Sequence, residues 1–368
     1  MNRKERMFAA FRCEPVDRCP FATYNLHPFS SAHREDPSYT ELLDLVWDKA
    51  GMLCKSGLAR RKTASPKTVE DRMEVLHEQL AGQERTTRIL HTPAGDLRSV
   101  TVKPQGQPSM VTEHFIKTDD HIRMYMTLPY EPEQFDASPA LELDALLEDR
   151  GVIYVSYDDP MHAAATLFDF NDFAVRCHTD IDPVVKLIDF MFDRIQSTLQ
   201  DQLRACAGQP FLFYTAGPEV CTPPMVAPAV FARLVTPYQQ RLIRMIHDAG
   251  FPASIHCHGR VRHVLEAIVA TEADVLEPVE PPDQGDMTLE ELFDATSGKL
   301  CLMGHIQDQE FHFSPPGTMT RRVEAIARTA AGRAGYVMTP TCTPFQHPAT
   351  DTFRRNYAEW IEAAARVL

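Results

Sequence analysis

The sequence of 368 residues has no run of eighteen apolar residues, so none of its helices is expected to span a bilayer. It has no excess of cations: 37 Lys and Arg stand against 51 Asp and Glu, a formal net charge of −14. Such a balance offers little to a phosphate backbone or an anionic membrane surface, so neither nucleic acid nor membrane is an expected partner. No Gly-x-Gly-x-x-Gly follows the first apolar run, which leaves a dinucleotide site unsupported. The opening Met1-Asn2-Arg3-Lys4-Glu5-Arg6 is charged, and Met7–Phe11 is too short an apolar core for a secretory signal. A cytoplasmic protein is expected. The nine cysteines are odd in number and scattered, which is no disulfide framework, and most are expected to be small core residues.

From about residue 150 the sequence is regular. Short apolar runs (Val152–Val155, Phe211–Thr215, Ala253–His256, Ala273–Leu276, Lys299–Met303, Gly335–Met338) alternate with amphipathic segments at 181–205, 228–249, 260–270, 288–295, 318–333 and 351–367. Strand followed by helix, repeated, implies a parallel sheet with crossovers. Cys19–Thr23 supplies a seventh strand, and an eighth is expected to hide in the middle of the chain. A (β/α)8 barrel over 1–368 follows, a single domain whose N-terminal region is an extended α+β segment, with 25–150 carrying insertions around the barrel mouth. Within that region the patterns predict helices at 2–12, 38–50, 68–81, 118–128 and 138–148, and a hairpin joining Thr86–Leu90 to Leu97–Val102.

In such barrels the chemistry gathers at the C-terminal ends of the strands. Tyr24-Asn25-Leu26-His27 follow the first strand. Gly217-Pro218-Glu219 follow the run that ends with Tyr214 and Thr215. His256-Cys257-His258-Gly259, Glu277-Pro278-Val279-Glu280, Gly304-His305 and Thr341-Cys342 follow later runs. Residues i and i+2 of an extended segment point to one side, so His256 and His258 are candidates to hold one cation while Cys257 faces the barrel wall. A thiolate from Cys342 would complete a His2Cys set, which suits zinc. Glu219 or Glu280 would take the fourth position or leave it to substrate and move a proton. Tyr24, His27, Tyr214 and His305 are candidate substrate contacts. Each has a plainer alternative: a chance His-x-His, a small core thiol, an exposed loop carboxylate.

The pieces also stand in a familiar order. Asn2-Arg3-Lys4-Glu5-Arg6-Met7, Glu14-Pro15-Val16-Asp17-Arg18-Cys19-Pro20, Gly217-Pro218, His256-Cys257-His258-Gly259, Gly304-His305-Ile306 and Thr341-Cys342-Thr343-Pro344 resemble the uroporphyrinogen decarboxylase superfamily over essentially the whole chain. True decarboxylases of that group carry Arg-Gln-Ala-Gly-Arg after the first strand; this chain reads Tyr24-Asn25-Leu26-His27-Pro28-Phe29, without arginine. A multi-carboxylate tetrapyrrole would lack its cationic partners, so uroporphyrinogen is not the expected substrate. The resemblance is closer to the zinc-dependent methyltransferases that work with corrinoid proteins, whose signature is similar to His-x-Cys-Gly with a late Cys. Here His256 and Cys342 match and His258 replaces the middle Cys.

That resemblance implies zinc at His256, His258 and Cys342. It also implies methyl transfer between a small substrate and a corrinoid. The imidazole in place of a thiolate makes the zinc a stronger Lewis acid, which favours an O-methyl compound. No Asp-x-His-x-x-Gly segment is present to ligate cobalt, so the corrinoid would sit on a partner protein. A metal-free lyase or decarboxylase for a small carboxylated substrate is the alternative, and a corrinoid- or tetrapyrrole-binding accessory protein a third. A homodimer is the base-rate expectation.

Overall fold

Eight short parallel strands carry the architecture: β1 (Ala22–Tyr24), β2 (Gly51–Lys55), β3 (Gly151–Ser156), β4 (Phe211–Ala216), β5 (Ala253–His256), β6 (Val275–Val279), β7 (Cys301–Ile306) and β8 (Tyr336–Pro340). They pair in chain order. The structure is a computed structural model and describes residues 1–61 and 69–368. The seam closes where Phe21 pairs with Met338 and the Met338 amide donates to the Pro20 carbonyl at 3.0 Å. The expected (β/α)8 barrel is the observed fold. Its eighth strand is β2, which the sequence hides directly behind the helix Thr40–Lys49.

The strands are buried almost end to end, as strands covered on both faces must be. Tyr24, Leu53, Tyr154, Leu212, Tyr214, Val275, Met303 and Val337 belong to one buried cluster with Met7, Ala10 and Phe11 of the helix Arg3–Phe11. That helix is set by a capping box, in which Asn2 Oδ1 accepts from the Glu5 amide and the Glu5 carboxylate accepts from the Asn2 amide. Lys4 ties it to Asp144, Nζ to Oδ1 at 2.7 Å. The C-terminal helix Asp351–Val367 buries Trp360 against Phe21, Phe311 and Tyr357.

The chain forms two units. Met1–Ala59, Asp136–Tyr157 and Gln202–Leu368 make the barrel unit; Arg60–Phe135 and Asp158–Asp201 make the other. The second unit holds a four-stranded antiparallel sheet, Met73–Leu80, Gln83–Thr92, Gly95–Pro104 and Met110–Glu113, with the helices Asp119–Tyr125, Pro160–Ala165 and Phe170–Thr179. The hairpin expected around residue 94 is its central pair, with Thr92 opposite Gly95.

The helix expected at 68–81 is corrected. Met73–Leu80 is a strand paired from Met73↔Leu90 to Leu80↔Gln83, and residue 68 lies outside the described residues. The spacing of Met73, Leu76 and Leu80 mimics a helical face. The two-residue turn Ala81-Gly82, with Gly82 at φ +76°, folds the segment back onto Gln83–Thr92 instead. No helix among the described residues is long and apolar enough to cross a membrane.

Candidate active site

The strand register builds the first pair of the site. His256 ends β5 opposite Glu277 of β6, and paired residues of adjacent strands share a face. His256 Nδ1 therefore lies 2.9 Å from Glu277 Oε1, off the direction of a good hydrogen bond. Glu277 is 2% exposed. Tyr24, at the end of β1, donates its hydroxyl to the same Oε1 at 3.4 Å, and its ring lies near parallel to His256, 6.4 Å away. Burial pulls the His256 pKa down, but the Glu277 carboxylate, with Glu219 behind it, more than reverses this and the net shift is upward. The Tyr24 phenol is pushed well above its ordinary range by burial and then by Glu277, and Tyr214 to about 12 for the same two reasons.

Two residues on, His258 brings its ring to 4.6 Å from that of His256, as the i, i+2 spacing implies. Its Nδ1 lies 3.2 Å from Glu280 Oε1, while the Gly259 amide donates to Glu280 Oε2 at 2.7 Å. Burial raises the Glu280 pKa, but these two partners outweigh it and hold the carboxylate below its usual range. Each imidazole thus has a carboxylate at Nδ1. In metalloenzymes this second-layer contact fixes the ring and reserves the other nitrogen for a metal. Cys257, between them, is fully buried, as expected of a wall residue.

Cys342 lies beyond β8 with its Sγ 3.3 Å from the Thr343 carbonyl. Burial, and then Asp308, raise its thiol pKa. Cys342, His258 and Glu280 line one cavity of about 420 Å³ with Asp308, His312 and Phe345. Asp308 is pushed up by burial against the pull of His312, its neighbour at 3.4 Å. Among the described residues no group of three or more His, Cys, Asp and Glu side chains stands close enough to hold a metal ion. A second depression, about 440 Å³, lies beside Cys19, Arg333 and Tyr336 where strands begin, and no histidine or glutamate lines it.

The other expected residues divide. Glu219 sits in the turn Pro218–Cys221 after β4; its Oε2 accepts from the Gly217 amide at 2.9 Å, which ties the carboxylate to its own loop. Tyr214 joins Tyr24 and Tyr154 in the barrel lumen. His27 and His305 are buried, each with an Nδ1 that finds no hydrogen-bond partner. Burial pushes both down to about 4, with His33 adding at His27 and Arg322 at His305. Neither lines the cavity beside Cys342.

Sequence reasoning weighed Glu277 but passed over Lys55, Asp308 and His312. The Asp308/His312 pair was legible as an i, i+4 spacing at the start of a helix after β7. Lys55 was not, because its strand was hidden.

The sequence profile of the uroporphyrinogen decarboxylase (URO-D) family matches residues 108–364. No curated protein matches the sequence. Among solved structures, a methyltransferase from Methanosarcina mazei superposes with a TM-score of 0.58 at 15% identity, covering all of this chain and 99% of that one. The YdhT protein from Bacillus subtilis superposes at TM-score 0.41 and 8% identity over 97% and 86% of the two chains. A 3-keto-D-glucoside 4-epimerase from E. coli superposes at 0.38 and 11% over 61% and 85%. The first of these likenesses is one of fold; the other two are weaker still.

Proposed function

Because the chain belongs to the uroporphyrinogen decarboxylase family, we propose that it is a methyltransferase of that family, moving a methyl group between a small O-methyl substrate and a corrinoid carried by a separate protein. The observation that carries this reading is the pair of histidines at the end of β5, each with a carboxylate at Nδ1. The donor types suit zinc: two imidazoles, His258 hydrogen-bonded to Glu280 and His256 with Glu277 2.9 Å from its Nδ1, and the half-buried Cys342 thiol on the cavity that His258 also lines. His256, His258 and Cys342 would hold the ion only by drawing closer than they stand in the structure, where no such group is assembled among the described residues. Bound there, zinc supplies a Lewis acid for the substrate oxygen.

The chain's own residues do the rest. Glu280 holds the His258 ring through Nδ1, and Glu277 stands beside Nδ1 of His256. Tyr24, Tyr154 and Tyr214 form an apolar floor whose phenols stay protonated, since burial raises all three. When the O–CH3 bond breaks, the electron pair stays on oxygen, which then takes up a proton. Glu280 and Glu219 would pass that proton on rather than keep it, since His258 and the Gly259 amide hold Glu280 ionised.

The test is metal content of protein purified without added metal, alongside demethylation assays with a corrinoid protein. Stoichiometric zinc is expected. His258→Ala should lower zinc affinity by more than the roughly 10–100-fold typical of residues that only orient a ligand, while Cys257→Ala leaves zinc content unchanged. Protein that never takes up zinc ends the metal reading. A metal-free lyase is the second reading. It is favoured by the upward shift of His256, which the Glu277 contact produces and which suits a proton donor. Turnover of a small carboxylated substrate after chelation would select it. Uroporphyrinogen should not turn over in either case, because β1 runs into Tyr24-Asn25-Leu26-His27 without a guanidinium.

A further inference from the structure

β2 places one cation inside the barrel mouth. Leu53 belongs to the buried lumen cluster, and Lys55, two residues on, shares its face. The Lys55 ammonium lies 4.9 Å from the centre of the Tyr24 ring and 5.2 Å from that of Tyr214. Aromatic faces attract a cation without consuming its N–H donors. Among the described residues no carboxylate lies within ion-pair distance of this nitrogen, although the chain carries 51 acidic residues. The backbone fixes the lysine as well: its amide donates to Asn25 Oδ1 at 3.1 Å, joining β2 to the loop after β1.

The surroundings sharpen what such a cation selects. Tyr24, beneath the ammonium, lies near parallel to the His256 ring and donates to Glu277 Oε1, so the lysine stands beside the histidine and carboxylate at the ends of β5 and β6. Beyond Tyr24 the site is lined by carboxylates, Glu277 at 2.9 Å from His256 Nδ1 and Glu280 at 3.2 Å from His258 Nδ1. A single anionic group fits against the lysine, whereas a second would meet carboxylates.

We propose that Lys55 is the specificity-determining residue of this site and that it binds the one carboxylate of a small monoanionic substrate, its ammonium held over Tyr24 and Tyr214. This names the substrate class of the methyl-transfer reading and rests on it only for the O-methyl group. The ring faces position the ammonium and leave its protons to the ligand. The carboxylate anchors the substrate at β1 and β2. The remainder of a small molecule then extends toward the histidines of β5.

The experiment is calorimetric binding to the full chain, without corrinoid partner, of two acid and amide pairs: 4-methoxybenzoate with 4-methoxybenzamide, and methoxyacetate with its amide. At least one acid should bind at least about tenfold more tightly than its amide, the worth of one charge-assisted hydrogen bond. Lys55→Met should erase that preference by weakening the acid far more than the amide, while Lys55→Arg keeps it. Lys55 is exposed, so both variants should fold, which circular dichroism checks. The proposal is overturned if acid and amide bind alike, if neither pair binds, or if the preference survives in Lys55→Met. A Lys55-dependent preference without methyl transfer would overturn the methyltransferase reading alone. Methyl transfer without the preference would overturn this one alone.

Discussion

The barrel strands and the antiparallel sheet keep their order by different means. The barrel strands are three to six residues long and buried almost throughout. The sheet's strands reach ten residues, and Met73–Leu80 is exposed at nearly every position, Val75 and Leu76 included. Side-chain packing therefore specifies the barrel and the central strands of the sheet, where Leu90, Leu97 and Val100 are buried, whereas the outer strand Met73–Leu80 relies on backbone pairing and turn geometry. Both tryptophans, Trp47 and Trp360, belong to the barrel unit, so tryptophan emission in urea reports on that unit and amide exchange of 73–104 reports on the other.

The largest contrast is expected from truncation. Trp360→Ala should cost the barrel about 4 kcal/mol, because a fully buried indole packed on three rings leaves a cavity. The midpoint of Trp47 emission in urea measures this. Next come the glycines. At Gly304, φ is +134° and a Cβ would stand 2.8 Å from the Val279 amide nitrogen and 2.9 Å from its carbonyl oxygen. Gly304→Ala should cost roughly 3 kcal/mol, since backbone cannot give way. Gly82, at φ +76° with open space around it, should lose only about 1 kcal/mol as alanine, read by exchange across the hairpin. Equal costs at the two glycines would contradict the division between packing and turn geometry.

Acid should also separate the units, with opposite signs. His27 and His305 are held neutral in the folded barrel, with pKa about 4 against an ordinary value near 6.5. The unfolded chain binds these protons first. Their contribution is complete above about pH 6.5 and falls as the pH drops toward 4, by roughly 2 kcal/mol per histidine at pH 5. Urea midpoints of Trp emission between pH 7 and 5 test this, and His305→Gln should flatten the slope. In the sheet, His91 is raised by its hydrogen bond to Asp96, with Glu74 adding. Its contribution is present below the unfolded pKa and disappears as the pH rises through the folded one, so exchange at 89–98 should slow in mild acid. The smallest effect, within about 0.5 kcal/mol, is expected for Leu76→Ala on the exposed strand. A multi-kcal loss there would mean that this strand's face is covered in solution.

The same division decides what could be read in advance. Barrel strands announced themselves as apolar runs because burial on both faces demands it, and strand ends then located His256, His258, Glu280 and Cys342. Met73–Leu80 was misread because an exposed strand carries no burial alternation, and the deciding residues, Ala81 and Gly82, lie outside it. β2 was missed because Thr40–Lys49 leads into it with only Ala50 between, so no turn marks the change, and Lys55 was lost with it. The contacts of His256 with Glu277 and Tyr24 were also out of reach. They depend on cross-strand register, which spacing within one segment does not contain.

The seam of the barrel has a consequence for synthesis. Phe21 pairs with Met338, and Met7 and Phe11 pack in the same buried cluster as Val337. The first strand to leave the ribosome waits for the last before its free edge is satisfied. Until then the chain carries an open parallel edge and an N-terminal helix whose apolar face lacks its full seat, a state prone to wrong pairing. Long-range closure of this kind folds slowly, since loop entropy is lost before the contacts return it. A chain truncated before Tyr336 should therefore be recovered bound to chaperones rather than as a smaller barrel.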